Sequence, residues 1–512
     1  MIENKDYNNK RIAKNTALLY FRMLLIMGVS LYTSRIILDK LGVDDYALYN
    51  VVGGVVGMLS FLNGTLSNGT SRFLTFELGR RDQKRLEQTF STAFYTHLIL
   101  AIIILVIMET GGLWFLYYKL NIPIERITAC LWVFQLSILT TFIAITQVPY
   151  TAIIMAHERM GIYAYVSIFE AFAKLAVCYL IGITKTDKLI VYAILLTFIQ
   201  LTVALFYRIY CIKNFSESKI SKTFEKGIFR NMMGFSGWNL MANLAETLKL
   251  QGYLILLNMF FQPAIVAAQS IGNQVANAMM QFINNFRTAI NPQIIKLYAA
   301  EDYEASKRLT LSTTVLVFDL VLLLGLPTIL VLEQIMDIWL VEVPPYAVIF
   351  TQYIIVQRIL STFDASFYIP MMAANKIKTN SILATFSGPG MFIILYLIYK
   401  LGGNVMWMQY IGIFVLSVFG FVIKPYLLKN DVIGYCYKDF LICFWNCLKV
   451  AILSILLSIG AYEIFYENNL SSSILIFIIS AISILLSSYL FMDKILKEKV
   501  QVMIREKIRR YR

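Results

Sequence analysis

The sequence predicts an all-α, polytopic membrane protein of about fourteen transmembrane helices, and three observations carry that prediction. Of 512 residues, 58% are hydrophobic and 15% charged, against about 45–50% and about 25% in an ordinary soluble chain. The apolar residues come in long runs that recur along the whole chain, each near the ~20 residues a helix needs to cross roughly 30 Å of hydrocarbon. The cations fall mainly in alternate loops between those runs, as they do when one side of a membrane is the cytoplasm.

Apolar runs between charged or Pro/Gly-containing breaks define the spans in order. The first covers residues 12–38, after the polar, basic start MIENKDYNNKRIAKN. It carries Arg22 and Arg35 and ends at LDKLG with no small-residue cleavage site, so it reads as a retained helix and not a signal peptide. The others follow at 46–72, 90–118, 127–155, 162–183, 189–212, 231–257, 265–295, 309–332, 346–374, 380–400, 404–428, 440–462 and 470–492. With the N-terminus inside, cytoplasmic segments hold 31 Lys and Arg and the opposite loops hold 6. That asymmetry places both termini in the cytoplasm.

The net charge of +14 is therefore explained by topology, and no nucleic acid partner is expected, because the cations form no solvated stripe. The longest outer loop is EQIMDIWLVEVPPY, too short for an extracytoplasmic catalytic domain. The six cysteines show no CxxC or Cys/His spacing, so neither a disulfide framework nor a metal site is indicated. His97 and His157 read as structural, and no nucleophile–base pair or phosphate-binding Gly loop occurs. The expectation is a protein that is not an enzyme and needs no cofactor.

A faint repeat relates RFLTFELGRRDQKRL to NPQIIKLYAAEDYEASKRL, setting Lys84-Arg85 against Lys307-Arg308. It suggests an N-terminal lobe at 1–225 (helices 1–6), a C-terminal lobe at 226–438 (helices 7–12), and a segment 439–512 with helices 13–14 and a basic tail. Repeats about a midplane site are the usual build of secondary transporters.

The stretch NTALLYFRMLLIMGVSLYTSRIILDKLGVDDYALYNVVGGVVGMLSFLNGTLSNGTSRFLTFELGR resembles the opening of bacterial Wzx-type polysaccharide flippases of the MOP (MATE-like) superfamily, and FRTAINPQIIKLYA is similar to that family's matching segment. The resemblance implies two six-helix lobes plus two extra helices in the bacterial inner membrane. It also implies transfer of undecaprenyl-diphosphate-linked oligosaccharide to the periplasmic leaflet for O-antigen, capsule or lipopolysaccharide synthesis. The implied partners are that substrate, membrane lipid and other polysaccharide-assembly proteins, with H+ or Na+ as coupling ion.

A diphosphate crossing the membrane interior needs a wet, cationic path, and arginine binds phosphate oxygens in a fork. Eight cations fall inside spans: Arg22, Arg35, Arg72, Lys174, Lys249, Arg287, Arg358 and Lys449. All but Lys449 form the candidate substrate-binding set. Charges at such depth face a bundle interior or wet cavity, or snorkel to an interface. Arg22 and Arg35 stand about 140° apart on a straight helix, and Arg35 has Asp39 at i,i+4. Glu170–Lys174 and Glu246–Lys249 are spaced to pair on one helix face. Asp319 and Asp364 are the candidates for ion coupling, Asp364 alternatively as a partner for Arg358. Prolines 149, 292, 327, 370, 389 and 425 interrupt helices and permit bending. The tail KILKEKVQVMIREKIRRYR reads as an interfacial segment. Within transport the competing readings are a lipid II flippase of the MurJ type and an ion-coupled MATE-type multidrug exporter. A cation exporter would present carboxylates in its first-lobe cavity, where span 1 offers arginines. A membrane-embedded polymerase or acyltransferase would want a buried catalytic His or a large outer loop.

Overall fold

The computed structural model describes residues 23–60, 70–71, 73–78, 80, 82–157, 159–467, 469–492 and 497. Side chains are described for these except at 60, 160, 231, 234–246, 248–250, 282, 285, 288–289 and 292. Among them there is no strand. Helix α1 covers 23–41 and α2 Val43–Gly57, and α3 runs Gln83–Tyr118 through a π turn at Met108–Gly112. Then come α4 (Ile127–Ala156), α5 (Met160–Leu180), α6 (Lys188–Asn214), α7 (Lys226–Phe260), α8 (Pro263–Ala299) and α9 (Tyr303–Leu330). After a short helix at Leu332–Trp339, the long helices continue as α10 (Ala347–Ala373), α11 (Lys378–Lys400), α12 (Trp407–Asp431, with a π turn at Phe419–Ile423), α13 (Tyr437–Phe465) and α14 (Leu470–Phe491).

The chain is a multi-pass membrane protein. Nine of the described helices are long and apolar enough to cross a membrane, and they leave large apolar side chains uncovered, such as Ile102 and Val106 on α3 and Trp445 and Leu456 on α13. Apolar faces of that extent require a hydrocarbon neighbour. α8 and α10, 37 and 27 residues long, are not among the nine. In α8 the reason is visible in Gln269, Asn273, Gln274, Asn277, Gln281, Asn284, Asn285 and Asn291, amides that favour water or protein over lipid.

Helix starts follow capping chemistry. Asp82 accepts from the Arg85 amide at 3.0 Å to open α3, Asp302 from the Ala305 amide at 3.1 Å to open α9, and Asp187 from the Leu189 amide at 3.0 Å to open α6. The first two caps lie within the two segments of the faint repeat, three residues out of step when Lys84-Arg85 is set against Lys307-Arg308.

The helices divide into two compact units. One comprises Met1–Ser270, Leu340–Pro345 and Ala384–Val405. In it α2 packs near α6 through Tyr49 and Tyr192, whose rings meet edge-on at 4.9 Å. The other comprises Ile271–Trp339, Tyr346–Leu383 and Met406–Arg512. Its core holds Phe318, Phe363, Phe367 and Phe440, all buried. α13 and α14 pack along a seam of buried serines, with Ser458 Oγ 3.2 Å from Ser483 Oγ. Small residues let two helix backbones approach where lipid supplies no hydrophobic drive.

Candidate functional site

α10 is the helix on which Arg287 and Lys424 of the second unit converge. The α10–α12 interface opens with Gln357 Nε2 donating to Gln409 Oε1 at 2.8 Å. Below it, the π turn Phe419–Ile423 inserts an extra residue ahead of Pro425, with the Lys424 amide donating to the Phe419 carbonyl. The extra residue rotates the next turn of the helix about its axis, and here Lys424 points into the protein. A Cβ on Gly420 would lie 3.2 Å from Phe363 Cβ, so this glycine is what brings α12 close to α10 at that level. Lys424, 2% exposed, places Nζ 3.1 Å from Asp364 Oδ1.

Arg287 of α8 comes to the same region. It is 8% exposed, its Nη2 donates to the Thr362 carbonyl at 3.3 Å, and the Asp364 carboxylate acts on it electrostatically. Its Nε is buried and has no hydrogen-bond partner among the described residues. One carboxylate therefore serves two buried cations. Arg358 is half-buried, six residues before Asp364 on α10, and its carbonyl accepts from Ser361 Oγ at 2.8 Å. Six residues turn a helix by about 240°, so Arg358 and Asp364 leave α10 on different faces. The carboxylate meets Lys424 across the interface.

The other candidates are dispersed. Arg22 and Arg72 lie outside the described residues, and Lys249 lies on α7 with its side chain outside them. Arg35 is half-buried on α1, and its neighbour Asp39 pairs with Lys40 at 2.8 Å. Lys174 Nζ is 2.6 Å from Glu170 on its own helix, the intrahelical pair that the spacing suggests. Asp319 on α9 is 8% exposed and accepts from Ser488 Oγ of α14 at 2.5 Å. It therefore stands apart from the Asp364 group.

Four ionic features escape the sequence reading. Lys424 and Arg208 fall inside the expected spans 404–428 and 189–212, yet read as loop cations because they stand near span ends. Arg208 Nη2 donates to Thr146 Oγ1 at 2.7 Å beside the Tyr150 ring. In the first unit Arg126 forms a clamp, with Nε donating to Asp45 Oδ1 at 2.9 Å and Nη1 to Asp187 Oδ2 at 2.5 Å. Burial pushes the Asp45 carboxyl above the ordinary carboxylate range. At Asp187 burial acts the same way, but hydrogen bonds from Arg126 and two backbone amides outweigh it and hold the group below that range. On the cation-rich side His157 Nε2 lies 2.6 Å from Glu217 Oε1, with the imidazole stacked on Phe215 at 4.2 Å. His97 is buried, with Nδ1 2.7 Å from the Ala93 carbonyl of its own helix.

No family model matches the sequence, and no curated protein matches it. Solved structures do. A structure titled lipid II flippase MurJ, inward closed conformation, superposes with a TM-score of 0.68 at 11% identity, covering 94% of this chain and 98% of that one. An inward-facing multidrug resistance MATE family transporter of the MOP superfamily gives 0.64 at 13%, covering 80% and 96%. A MOP superfamily transporter from Pyrococcus furiosus, whose title reports reversed polarity of its binding pocket, gives 0.59 at 14%, covering 82% and 95%. The chain shares the fold of these structures. Within that fold, the buried cations Arg287 of α8 and Lys424 of α12 belong with Asp364 of α10 to one compact unit.

Proposed function

We propose that the protein is a MOP-type flippase that moves undecaprenyl-diphosphate-linked oligosaccharide from the cytoplasmic to the periplasmic leaflet of the bacterial inner membrane. The observation that carries the reading is the excess of buried cations over carboxylate, among the described residues, where α8, α10 and α12 meet: Arg287 and Lys424 share Asp364, and Arg287 Nε has no hydrogen-bond partner among those residues. Desolvating cations without full compensation costs several kcal/mol. That cost is recovered when an anionic group passes nearby, and a diphosphate supplies two charges and many acceptor oxygens. The amide-rich α8 supports a wet face for the sugar to travel along.

Alternating access between two lobes, residues 1–225 and 226–438, would carry the head group while the prenyl chain stays in lipid. Direction comes from a gradient or from substrate supply, because a ligand shifts such an equilibrium only through its different affinity for the two states. Asp364 is the proposed site of H+ or Na+ coupling near this path. The positive-inside asymmetry supports cytoplasmic termini. The MurJ-like structure covers more of this chain than the MATE-like ones, by about the size of α13, α14 and the tail. That favours a lipid-linked substrate over a soluble drug. The chemistry proposed is transport without covalent change.

Deleting the gene in its host tests the reading. Loss of one surface polysaccharide, with its lipid-linked precursor accumulating on the inner leaflet, is the expected result. Intact surface glycan with altered drug tolerance would replace the reading with ion-coupled export.

A further inference from the structure

A second polar feature of the C-terminal unit stands apart from the cluster on α10. A cavity of about 390 Å³ runs between α9, α13 and the end of α14. Along α9 it is lined by Arg308, Ser312, Val315 and Asp319, and along α13 by Asp439, Cys443, Asn446 and Val450. Each set follows one stripe of a helix over eleven residues, about 16 Å. The two helices run parallel in register, since Lys307 beside the mouth reaches Asp439 at 3.6 Å and Cys443 Sγ lies 3.9 Å from the Leu311 carbonyl.

Charge differs between the two ends. At the mouth Arg308 and Asp439 carry opposite signs, and Lys307 adds to the balance. At depth the charged group lining the cavity is Asp319, whose Oδ2 accepts from Ser488 and whose Oδ1 is buried without a hydrogen-bond partner among the described residues. Ser488 supplies the hydroxyl on α14, and the remaining walls include Leu316, Ile442 and Phe491. A buried carboxylate with one oxygen lacking a hydrogen-bond partner among the described residues, lining a slot with apolar walls, complements a cation that has an apolar body. The oxygens are strung along the slot and not gathered, which does not suit a bare metal ion needing several close ligands.

We propose that this cavity binds an amphiphilic ammonium, its charged head on Asp319 and its apolar body between α9 and α13. The site does not depend on the flippase reading. Two sources share this chemistry, the primary ammonium of a phosphatidylethanolamine head group and a free alkylamine.

The test is equilibrium binding of labelled octylammonium to the full-length protein in phosphatidylcholine nanodiscs, with empty nanodiscs subtracted. One saturable site is expected, weakened at least tenfold by the near-isosteric Asp319→Asn and likewise by Val315→Phe, which narrows the slot while keeping the carboxylate. Repeating the measurement in phosphatidylethanolamine nanodiscs separates the sources. Competition that abolishes the octylammonium site identifies the lipid ammonium as occupant, and unchanged binding identifies a free amine. Absence of saturable binding to the wild-type protein overturns the proposal, as does equal binding to Asp319→Asn or equal displacement by neutral octanol.

Discussion

Lys424 Nζ stands 3.1 Å from Asp364 Oδ1, an ion pair between α12 and α10 whose lysine is 2% exposed. It forms because a π turn aims Lys424 inward and Gly420 lets the helices close. Removing one partner of a buried pair leaves the other charge stranded and costs about 3–5 kcal/mol. Lys424→Met and Asp364→Leu alone should each lower the unfolding temperature of the detergent-purified protein, and the double variant should recover part of the loss, the remainder being Arg287 left without the Asp364 charge. A double variant no better than the worse single one would show that the pair is not the stabilising contact.

Arg287 and Arg358 are proposed members of the substrate path. Replacing either with Ala removes charge-assisted hydrogen bonds to phosphate, about 2 kcal/mol and so roughly thirtyfold in transport. Lys should restore transport only in part, because an ammonium cannot bind two oxygens in a fork. Amounts in the membrane, followed by quantitative blotting, should stay unchanged. Full transport by both Ala variants would remove these residues from the path.

Arg126 binds Asp45 and Asp187 together, joining the starts of α2, α4 and α6. Arg126→Ala would leave two carboxylates facing each other and should destabilise the protein by about 2 kcal/mol. Arg126→Lys should recover only part of the loss. Thermal unfolding of the three proteins side by side measures this, and an unshifted transition for Arg126→Ala would refute the clamp.

Glu217 is buried, which raises its pKa, but hydrogen bonds from the backbone, His157 and Gln83 outweigh burial and hold it below its ordinary 4.5. A carboxylate whose folded pKa is depressed contributes stability above its unfolded pKa and loses it as pH falls through the folded value. Stability should therefore decline on acidification below about 4.5. Glu217→Gln should flatten that part of the curve while lowering stability near neutral pH. An acid limb identical in the two proteins would contradict the assignment.

The membrane class and the helix order were legible because apolar run length is a direct readout of bilayer thickness. Expected spans such as 127–155 and 470–492 fall almost on α4, Ile127–Ala156, and α14, Leu470–Phe491. Arg287 and Arg358 stood out too, since a guanidinium inside an expected span is costly, and of the two it is Arg287 that is buried and feels the Asp364 charge. Lys424 was not legible. It stands near a span end beside a proline, and only the π turn, which breaks the 3.6-residue period, turns it toward Asp364. The Arg126 clamp was hidden for another reason, that its partners are 81 and 61 residues away in other loops. Loop charges were read for sidedness, and one sequence gives no neighbours across loops.

The most direct test of the central claim is flipping itself. The purified protein would be reconstituted into liposomes holding an undecaprenyl-diphosphate-linked oligosaccharide in the inner leaflet, and exposure of the sugar to an external lectin followed over time. The account predicts transfer by the wild-type protein that exceeds protein-free liposomes and is lost in Arg287→Gln. Transfer no faster than in protein-free liposomes, or undiminished in Arg287→Gln, would contradict it.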